Sequence, residues 1–262
     1  MSKADIGKAS ASLSTSKYTY TGSQVKPNPV VKLNGKTLVK NTDYTVAYSN
    51  NINTGKATMT ITGKGNYSGK IVKTFVITPK APKSAICSLY GYDDVKVKWS
   101  AAKGASGYYV YYKRSTSDSY TYLGYTSNTS AKKANLYDGK KYYFKIVPYK
   151  TIGGTKYKGL QYKTASVYTL KKLSAPYVSK YSSGKVKVKW SNIAGESGYQ
   201  ISRSTKSSGI NVVYTCRTTK GKSKVISAKK RKTYYYRVRA YRTVDGKRIY
   251  APWSSARKYR LK

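Results

Sequence analysis

Eight carboxylates, two cysteines and no histidine are spread over the 262 residues of this chain. Without imidazole, neither a Ser–His nor a Cys–His nucleophile can be assembled, and the commonest metal ligand is missing. Asp93-Asp94 is the one adjacent carboxylate pair. Glycoside hydrolysis needs two carboxylates across a cleft, whereas neighbours at a strand start cap a turn. After residue 171 the acids are Glu196 and Asp245, both in turn-like contexts, and Asp245-Gly246 is a hairpin-turn pair. Cys87 and Cys216 lack the paired spacing of a zinc site. They fall in different segments and are expected to be free thiols. Gly63-Lys64-Gly65 precedes no helical pattern, so it is not a phosphate loop. A Lys–Asn–acid triad for an isopeptide link cannot be located from residue types. No enzyme, cofactor or metal site is expected.

What remains is surface chemistry. Lys and Arg total 52 against 8 acids, a net charge of +44. Residues 1–80 carry +10, residues 81–171 carry +12, and residues 172–262 carry +22. Eight carboxylates cannot neutralise this charge, so solvent ions or an anionic partner must. Tyrosine is the second abundant feature, at 31 residues against 2 Phe and 3 Trp. Tyr packs its ring while keeping its hydroxyl wet, which suits thin sandwiches with little interior.

The two features meet in alternating runs. Tyr109, Tyr111, Tyr143 and Lys145 should share the outer face of one sheet. Tyr235, Arg237, Arg239 and Tyr241, with Arg257 on the last strand, should share the equivalent face further on. Rings give contact area at little entropic cost, and arginine forks onto anionic groups. The alternative is structural: cross-strand Tyr–Lys pairs stabilise the sheet, and lysines guard its edges. Concentrated arginine tilts the later face toward ligand binding, and lysine leaves the earlier one closer to the structural role.

Short strands separated by Gly/Asn turns must position these residues. Val95-Lys96-Val97-Lys98-Trp99-Ser100 recurs as Val186-Lys187-Val188-Lys189-Trp190-Ser191, an offset of 91 for the tryptophans. Tyr142 to Tyr234 is an offset of 92. A repeat this long is a whole domain. Strands are expected near 84–90, 94–99, 107–113, 120–125, 129–135, 141–149 and 163–170, and again near 176–181, 185–190, 198–203, 211–216, 222–227, 233–242 and 253–261. Val95, Val97, Trp99, Tyr142, Phe144 and Ile146 should face inward, with their counterparts Val186, Val188, Trp190, Tyr234, Tyr236 and Val238. Tyr149, like Tyr241, should face solvent.

Ahead of the repeat, residues 1–16 read as a first strand or a frayed lead-in. Val30-Val31-Lys32-Leu33 then runs into the hairpin signal Asn34-Gly35. Further strands are expected at 44–48, 57–61 and 73–78. Pro79 to Lys83 and Lys171 to Pro176 read as short, stiff linkers, giving a rod with limited bending. The chain is therefore expected to be all-β: three tandem sandwiches at 1–80, 81–171 and 172–262, with almost no helix. There is no apolar run long enough to span a membrane. Met1-Ser2-Lys3 leads straight into polar sequence in which no signal-peptide pattern is visible, and this says nothing about destination.

The inward Trp, the Gly-Tyr opening of the third strand (Gly107-Tyr108, Gly198-Tyr199) and the run Tyr142-Tyr143-Phe144-Lys145-Ile146 (Tyr234-Tyr235-Tyr236-Arg237-Val238) resemble the fibronectin type III pattern over about 82–170 and 173–262. The Lys-rich form is similar to repeats of Gram-positive surface and secreted proteins. One departure is Pro148 in place of Ala240, whose missing N–H should weaken the ladder. Tyr18-Thr19-Tyr20-Thr21-Gly22, Asp43-Tyr44-Thr45-Val46 and Gly63-Lys64-Gly65-Asn66-Tyr67 resemble a bacterial Ig-like repeat. These resemblances imply an extracellular location, secreted or cell-surface attached, and modular display, but no reaction. Three functions compete. The first is a spacer and adhesive array on anionic wall polymers or acidic glycans. The second is an adhesin for a host surface or secreted protein, such as immunoglobulin. The third is a non-specific nucleic-acid binder, for which no reading motif is present. A monomer without membrane insertion is expected.

Overall fold

Period-two alternation and positive-φ turns build this chain, and the computed structural model describes residues 2–216 and 222–262. The described residues contain no α-helix, and a single 3-10 turn at Ile6–Lys8. Among the described residues no helix is long and apolar enough to cross a membrane. The fold is all-β, and each sheet draws its strands from one of three successive segments.

In the first segment the strands are β1 (Ala4–Asp5), β2 (Ser10–Ser12), β3 (Lys17–Thr19), β4 (Val30–Leu33), β5 (Lys36–Thr37), β6 (Tyr44–Ser49), β7 (Gly55–Gly63), β8 (Tyr67–Ser68) and β9 (Lys70–Thr78). A four-stranded sheet, β3-β9-β7-β6, is accompanied by a three-stranded sheet, β2-β4-β5. The early strand β3 runs parallel to the last strand β9, and the other pairs in these two sheets are antiparallel. Asn34-Gly35 turns β4 into β5 with φ of 47° and 81°, the left-handed pair that a two-residue hairpin demands. The lead-in is anchored: Ile6 is fully buried with Val31, Met59, Ile61, Phe75 and Ile77.

The second segment contributes β10 (Ala85–Leu89), β11 (Val95–Trp99), β12 (Gly107–Lys113), β13 (Thr121–Thr126), β14 (Ser130–Lys133), β15 (Lys141–Ile152), β16 (Thr155–Lys158) and β17 (Lys163–Tyr168). The third contributes β18 (Tyr177–Ser182), β19 (Lys185–Lys189), β20 (Gly198–Ser204), β21 (Val212–Cys216), β22 (Ser223–Ser227), β23 (Thr233–Val244), β24 (Lys247–Tyr250) and β25 (Arg257–Arg260). Each forms a three-stranded sheet, β10-β11-β14 or β18-β19-β22. Against it lies a larger sheet, β13-β12-β15 or β21-β20-β23, with two further strands on the outer edge of β15 or β23.

That outer edge was only partly foreseen. The last strand does not run unbroken: β16 folds back on β15 through Gly153-Gly154 (φ 52° and 77°), and only then does β17 pair lower down. The third segment repeats this with β24, turned by Asp245-Gly246, and β25. Pro148 sits beside the resulting break. Its carbonyl accepts from Gly159 N–H at 2.7 Å on that side, so its missing N–H faces the break rather than β12. The expected weakening of the ladder does not arise, because Pro occupies the edge-facing phase.

Trp99 and Trp190 are buried, at 6% and 7% exposure. Each packs on the tyrosine that opens the next strand, Tyr108 or Tyr199, with ring centroids 5.3 Å and 5.5 Å apart. Those tyrosines also bond the turn after the tryptophan. Tyr108 Oη accepts from Ala102 N–H at 2.8 Å, and Tyr199 Oη accepts from Ile193 N–H at 3.2 Å. The inward set foreseen from alternation is buried throughout both copies.

The core continues across the second linker. Leu170, Leu173 and Ile193 are buried and join the two sandwiches into one apolar cluster. Arg242 reaches over the seam: Nη1 donates to Tyr168 O at 3.1 Å and Nε donates to Gly195 O. Burial lowers the Arg242 pKa from its ordinary value. At the first junction Thr54 Oγ1 donates to Gly104 O at 2.9 Å.

Two outcomes follow. Arg242→Ala should leave both sandwiches folded by circular dichroism while cleavage of 171–176 in limited proteolysis becomes several-fold faster, because the clamp and not the fold is lost. Unchanged cleavage would remove the clamp. Tyr236 tests the core: its hydroxyl is buried without a protein partner, and burial pushes its pKa from 10.0 up to about 12. Its folded value lies above its unfolded one, so the stabilisation is complete below pH 10 and is lost as pH rises toward 12. Tyr236→Phe should stay within about 1 kcal/mol of the parent at pH 7. Denaturant titrations above pH 10 should show it losing stability less steeply than the parent.

Candidate functional site: a tyrosine–lysine sheet face

The outer face of the second sandwich's larger sheet follows from strand register. On β12, Tyr109 and Tyr111 lie opposite Val147 and Lys145 of β15, and opposite Tyr125 and Tyr122 of β13. A bulge between Val110 and Tyr111 accommodates Gly124 (φ 147°) and keeps both tyrosines of β13 on this face. β16 adds Lys156 and Lys158, opposite Thr151 and Tyr149.

The side chains interleave. Lys145 Nζ lies 4.8 Å from the Tyr111 ring centroid, 4.3 Å from Tyr120 and 5.4 Å from Tyr162. Lys156 covers Tyr125 at 3.3 Å, and Lys158 covers Tyr109 at 4.7 Å. Lys158 Nζ also donates to Tyr111 Oη at 3.1 Å, which raises the Lys158 pKa. Tyr143 sits between Lys141 and Lys113, at 5.1 Å and 6.0 Å. Between the cations the rings touch: Tyr109–Tyr149 at 5.0 Å, Tyr111–Tyr122 at 5.5 Å and Tyr109–Tyr122 at 6.1 Å. Each exposed ammonium–ring contact contributes about 0.5–1 kcal/mol.

Charge on this face is one-sided. Among the described residues the ion pair formed is Arg114–Asp118, at 4.0 Å, and it involves none of these lysines. Desolvation raises the Tyr120 and Tyr122 pKa values, so these phenols stay neutral. The result is a stripe of ammoniums, Lys145, Lys156 and Lys158. It is bordered by exposed rings: Tyr122 at 51% and Tyr125 at 61% on one side, and Tyr162 at 57% on the other.

Tyr109, Tyr111, Tyr143 and Lys145 are thus brought together as alternation suggested. Tyr120, Tyr122, Tyr125, Tyr162, Lys156 and Lys158 were missed. The signal for β16 was present: Gly153-Gly154 between Thr151-Ile152 and Thr155-Lys156 is a two-residue hairpin signature.

In the third sandwich the arginines of the corresponding face are bonded to the protein's own acceptors. Arg239 donates to Gln200 Oε1 through Nε (2.9 Å) and Nη2 (2.7 Å), with its guanidinium 3.9 Å from the Tyr250 ring and 4.4 Å from Trp253. Arg237 Nη1 donates to Gly209 O at 3.1 Å and its Nη2 to Ser207 O. Arg257 Nε donates to Pro176 O at 3.2 Å, tying the last strand to the linker. Where the second sandwich has Tyr109 and Tyr111, the third has Gln200 and Ser202, both buried. Tyr235 remains half-buried opposite Lys258.

Tyr241 and Tyr149 are corrections. Neither faces solvent: exposure is 1% and 5%. Each lies opposite a glycine, Gly198 or Gly107, and its ring crosses the space where a Cβ would stand. A Cβ on Gly198 would meet Tyr241 Oη at 2.7 Å. The added hairpin strand covers the other side, with Tyr250 or Lys158 directly across. Tyr241 Oη donates to Cys216 O at 2.8 Å.

The remaining reactive residues are quiet. Cys87 and Cys216 are free, and burial pushes the Cys87 thiol up to about 12. Asp94 Oδ1 accepts from Asn135 N–H at 3.0 Å, as a loop brace. Among the described residues no cluster of three metal-binding side chains forms.

No family model matches the chain. A Kelch domain-containing protein of Sulfurisphaera tokodaii is 36% identical over 92 residues, which is 35% of this chain and 13% of that protein. Among solved structures, the chicken CNTN1 FN1–FN3 domains align over 80% of this chain and 77% of theirs, at 16% identity and a TM-score of 0.37. A two-domain fibronectin type III segment of chicken tenascin aligns over 70% of this chain and 99% of its own, at 15% identity and a TM-score of 0.35.

The bracing role of Arg239 in the third sandwich is testable. Arg239→Ala should lower the unfolding free energy by about 1–3 kcal/mol, the range for hydrogen bonds made by a charged donor. Heparin affinity of the folded variant should barely change. A variant of parental stability that releases heparin at much lower salt would make Arg239 a ligand contact instead.

Proposed function

We propose that this chain is a non-catalytic part of a modular, extracellular surface protein, and that it holds anionic polymers on the lysine stripe of its second sandwich. The observation that carries this is the grouping of Lys145, Lys156 and Lys158 among tyrosines without a carboxylate partner among the described residues. The rings hold the ammoniums in place and leave their charge unanswered. Teichoic-type wall polymers and acidic glycans supply repeated anions along a flexible strand. The bordering rings Tyr122, Tyr125 and Tyr162 offer flat area to the polymer backbone. The remaining positive charge steers such a polymer to the surface from a distance. Nucleic acid is expected to bind at low salt by the same counterion release, without sequence preference.

The triple variant Lys145→Gln/Lys156→Gln/Lys158→Gln should lower affinity for teichoic acid or heparin about tenfold at moderate salt and flatten the dependence on salt by about three counterions. The control Lys185→Gln/Lys187→Gln/Lys189→Gln removes the same charge from β19 and should do far less. Equal losses from both variants would make the binding diffuse and end the assignment of a site. A saturable complex with a serum protein that survives high salt and disappears in Tyr122→Ala/Tyr125→Ala would favour the adhesin reading.

A further inference from the structure

We propose that Tyr111 and Tyr122 form a site of oxidative coupling, at which a haem peroxidase using hydrogen peroxide joins β12 to β13 through a dityrosine bond. The two residues are direct register partners on neighbouring strands. Their ring centroids are 5.5 Å apart with planes at 54°. Directly opposed residues hold their Cβ atoms about 4.5–5.5 Å apart, so the outer ends of both rings can meet through small side-chain rotations.

Access selects this pair from the other ring contacts. Tyr109–Tyr149 is closer, at 5.0 Å, and Tyr241–Tyr250 is comparable, at 5.8 Å. Each includes a buried partner, Tyr149 or Tyr241, held across a glycine. Tyr109–Tyr125 is wider, at 6.3 Å, and set edge-on. Tyr122 is half exposed and reachable by an oxidant. The groups against the pair are Tyr109, Lys145 and Lys158, none of them easier to oxidise than a phenol. A radical made on Tyr122 therefore stays among tyrosines.

The chemistry balances. Each phenol gives one electron and one proton, leaving two phenoxyl radicals. These join through the carbons ortho to the hydroxyls, and the two displaced ring hydrogens return to the oxygens as aromaticity is restored. Hydrogen peroxide takes up two electrons and two protons and leaves as two waters. The product is lighter by two hydrogen atoms.

Such a bond would pin β13, the outermost strand on that side of its sheet, to β12. The chain has no disulfide, since Cys87 and Cys216 are both free. A tyrosine staple would supply the covalent restraint that these thiols do not.

The test treats the whole chain with a haem peroxidase and hydrogen peroxide. The result expected is a monomeric product two hydrogens lighter, with dityrosine fluorescence, whose digest links the peptide holding Tyr111 to the peptide holding Tyr122. Tyr122→Phe and Tyr111→Phe should each cut the intramolecular yield several-fold while keeping the parental circular dichroism, and Tyr162→Phe should not. Dityrosine found only in covalent dimers, or an undiminished intramolecular link in Tyr122→Phe, would overturn the assignment.

Discussion

Positive charge with almost no carboxylate to meet it is the constraint that the rest of this structure satisfies. Formal charge is +44, carried by 52 basic side chains against 8 acidic ones. A sheet surface built of lysines alone would repel itself strand by strand. Tyrosine relieves this without adding negative charge. Its ring face attracts an ammonium, its hydroxyl hydrogen-bonds, and its body shields apolar backbone from water. On the second sandwich the ammoniums of Lys145, Lys156 and Lys158 lie over rings contributed by other strands of the same sheet, so the strand order sets where charge sits.

The two repeats share a frame and use it differently. Both place a tryptophan against the tyrosine that opens the next strand, and both close the sheet with a glycine-turned hairpin. Both lay a tyrosine over a cross-strand glycine. On this common base the second repeat leaves lysine over tyrosine rings and the third ties arginine to the chain's own acceptors. The chemistry of the two cations explains the split. Arginine's planar fork satisfies two acceptors at once, as Arg239 does with Gln200 and Arg237 with the carbonyls of residues 207 and 209. Lysine's point charge makes a poorer brace and stays available to solvent and ligand.

Alternation makes much of this legible in the sequence alone. The inward sets around Trp99 and Trp190 and the shared face of Tyr109, Tyr111, Tyr143 and Lys145 all follow from period two. What alternation cannot report is cover. Tyr149 and Tyr241 have the outward phase, yet they are buried because a glycine opposite leaves room and a hairpin lies over them. Cover depends on which strands become neighbours, and a folded-back β16 or β24 changes that at short range. Nor does residue type reveal whether an outward arginine is free. The carbonyls that hold Arg237 belong to a loop about thirty residues earlier.

The joints matter as much as the faces, because a stripe of charge acts on a long polymer only if its orientation persists. At the seam between the two repeats, Leu170, Leu173 and Ile193 remove apolar surface from water on both sides of the linker, which makes the seam part of the core. Arg242 then adds direction, since its donors reach carbonyls in both repeats and those bonds require one relative placement. Burial works against its charge, and the opposing carbonyls offset that cost. An apolar seam alone would let the two sandwiches slide. With a guanidinium bonded on both sides, sliding would leave a half-buried cation without acceptors, and the linker behaves as a joint with one preferred setting rather than as a tether.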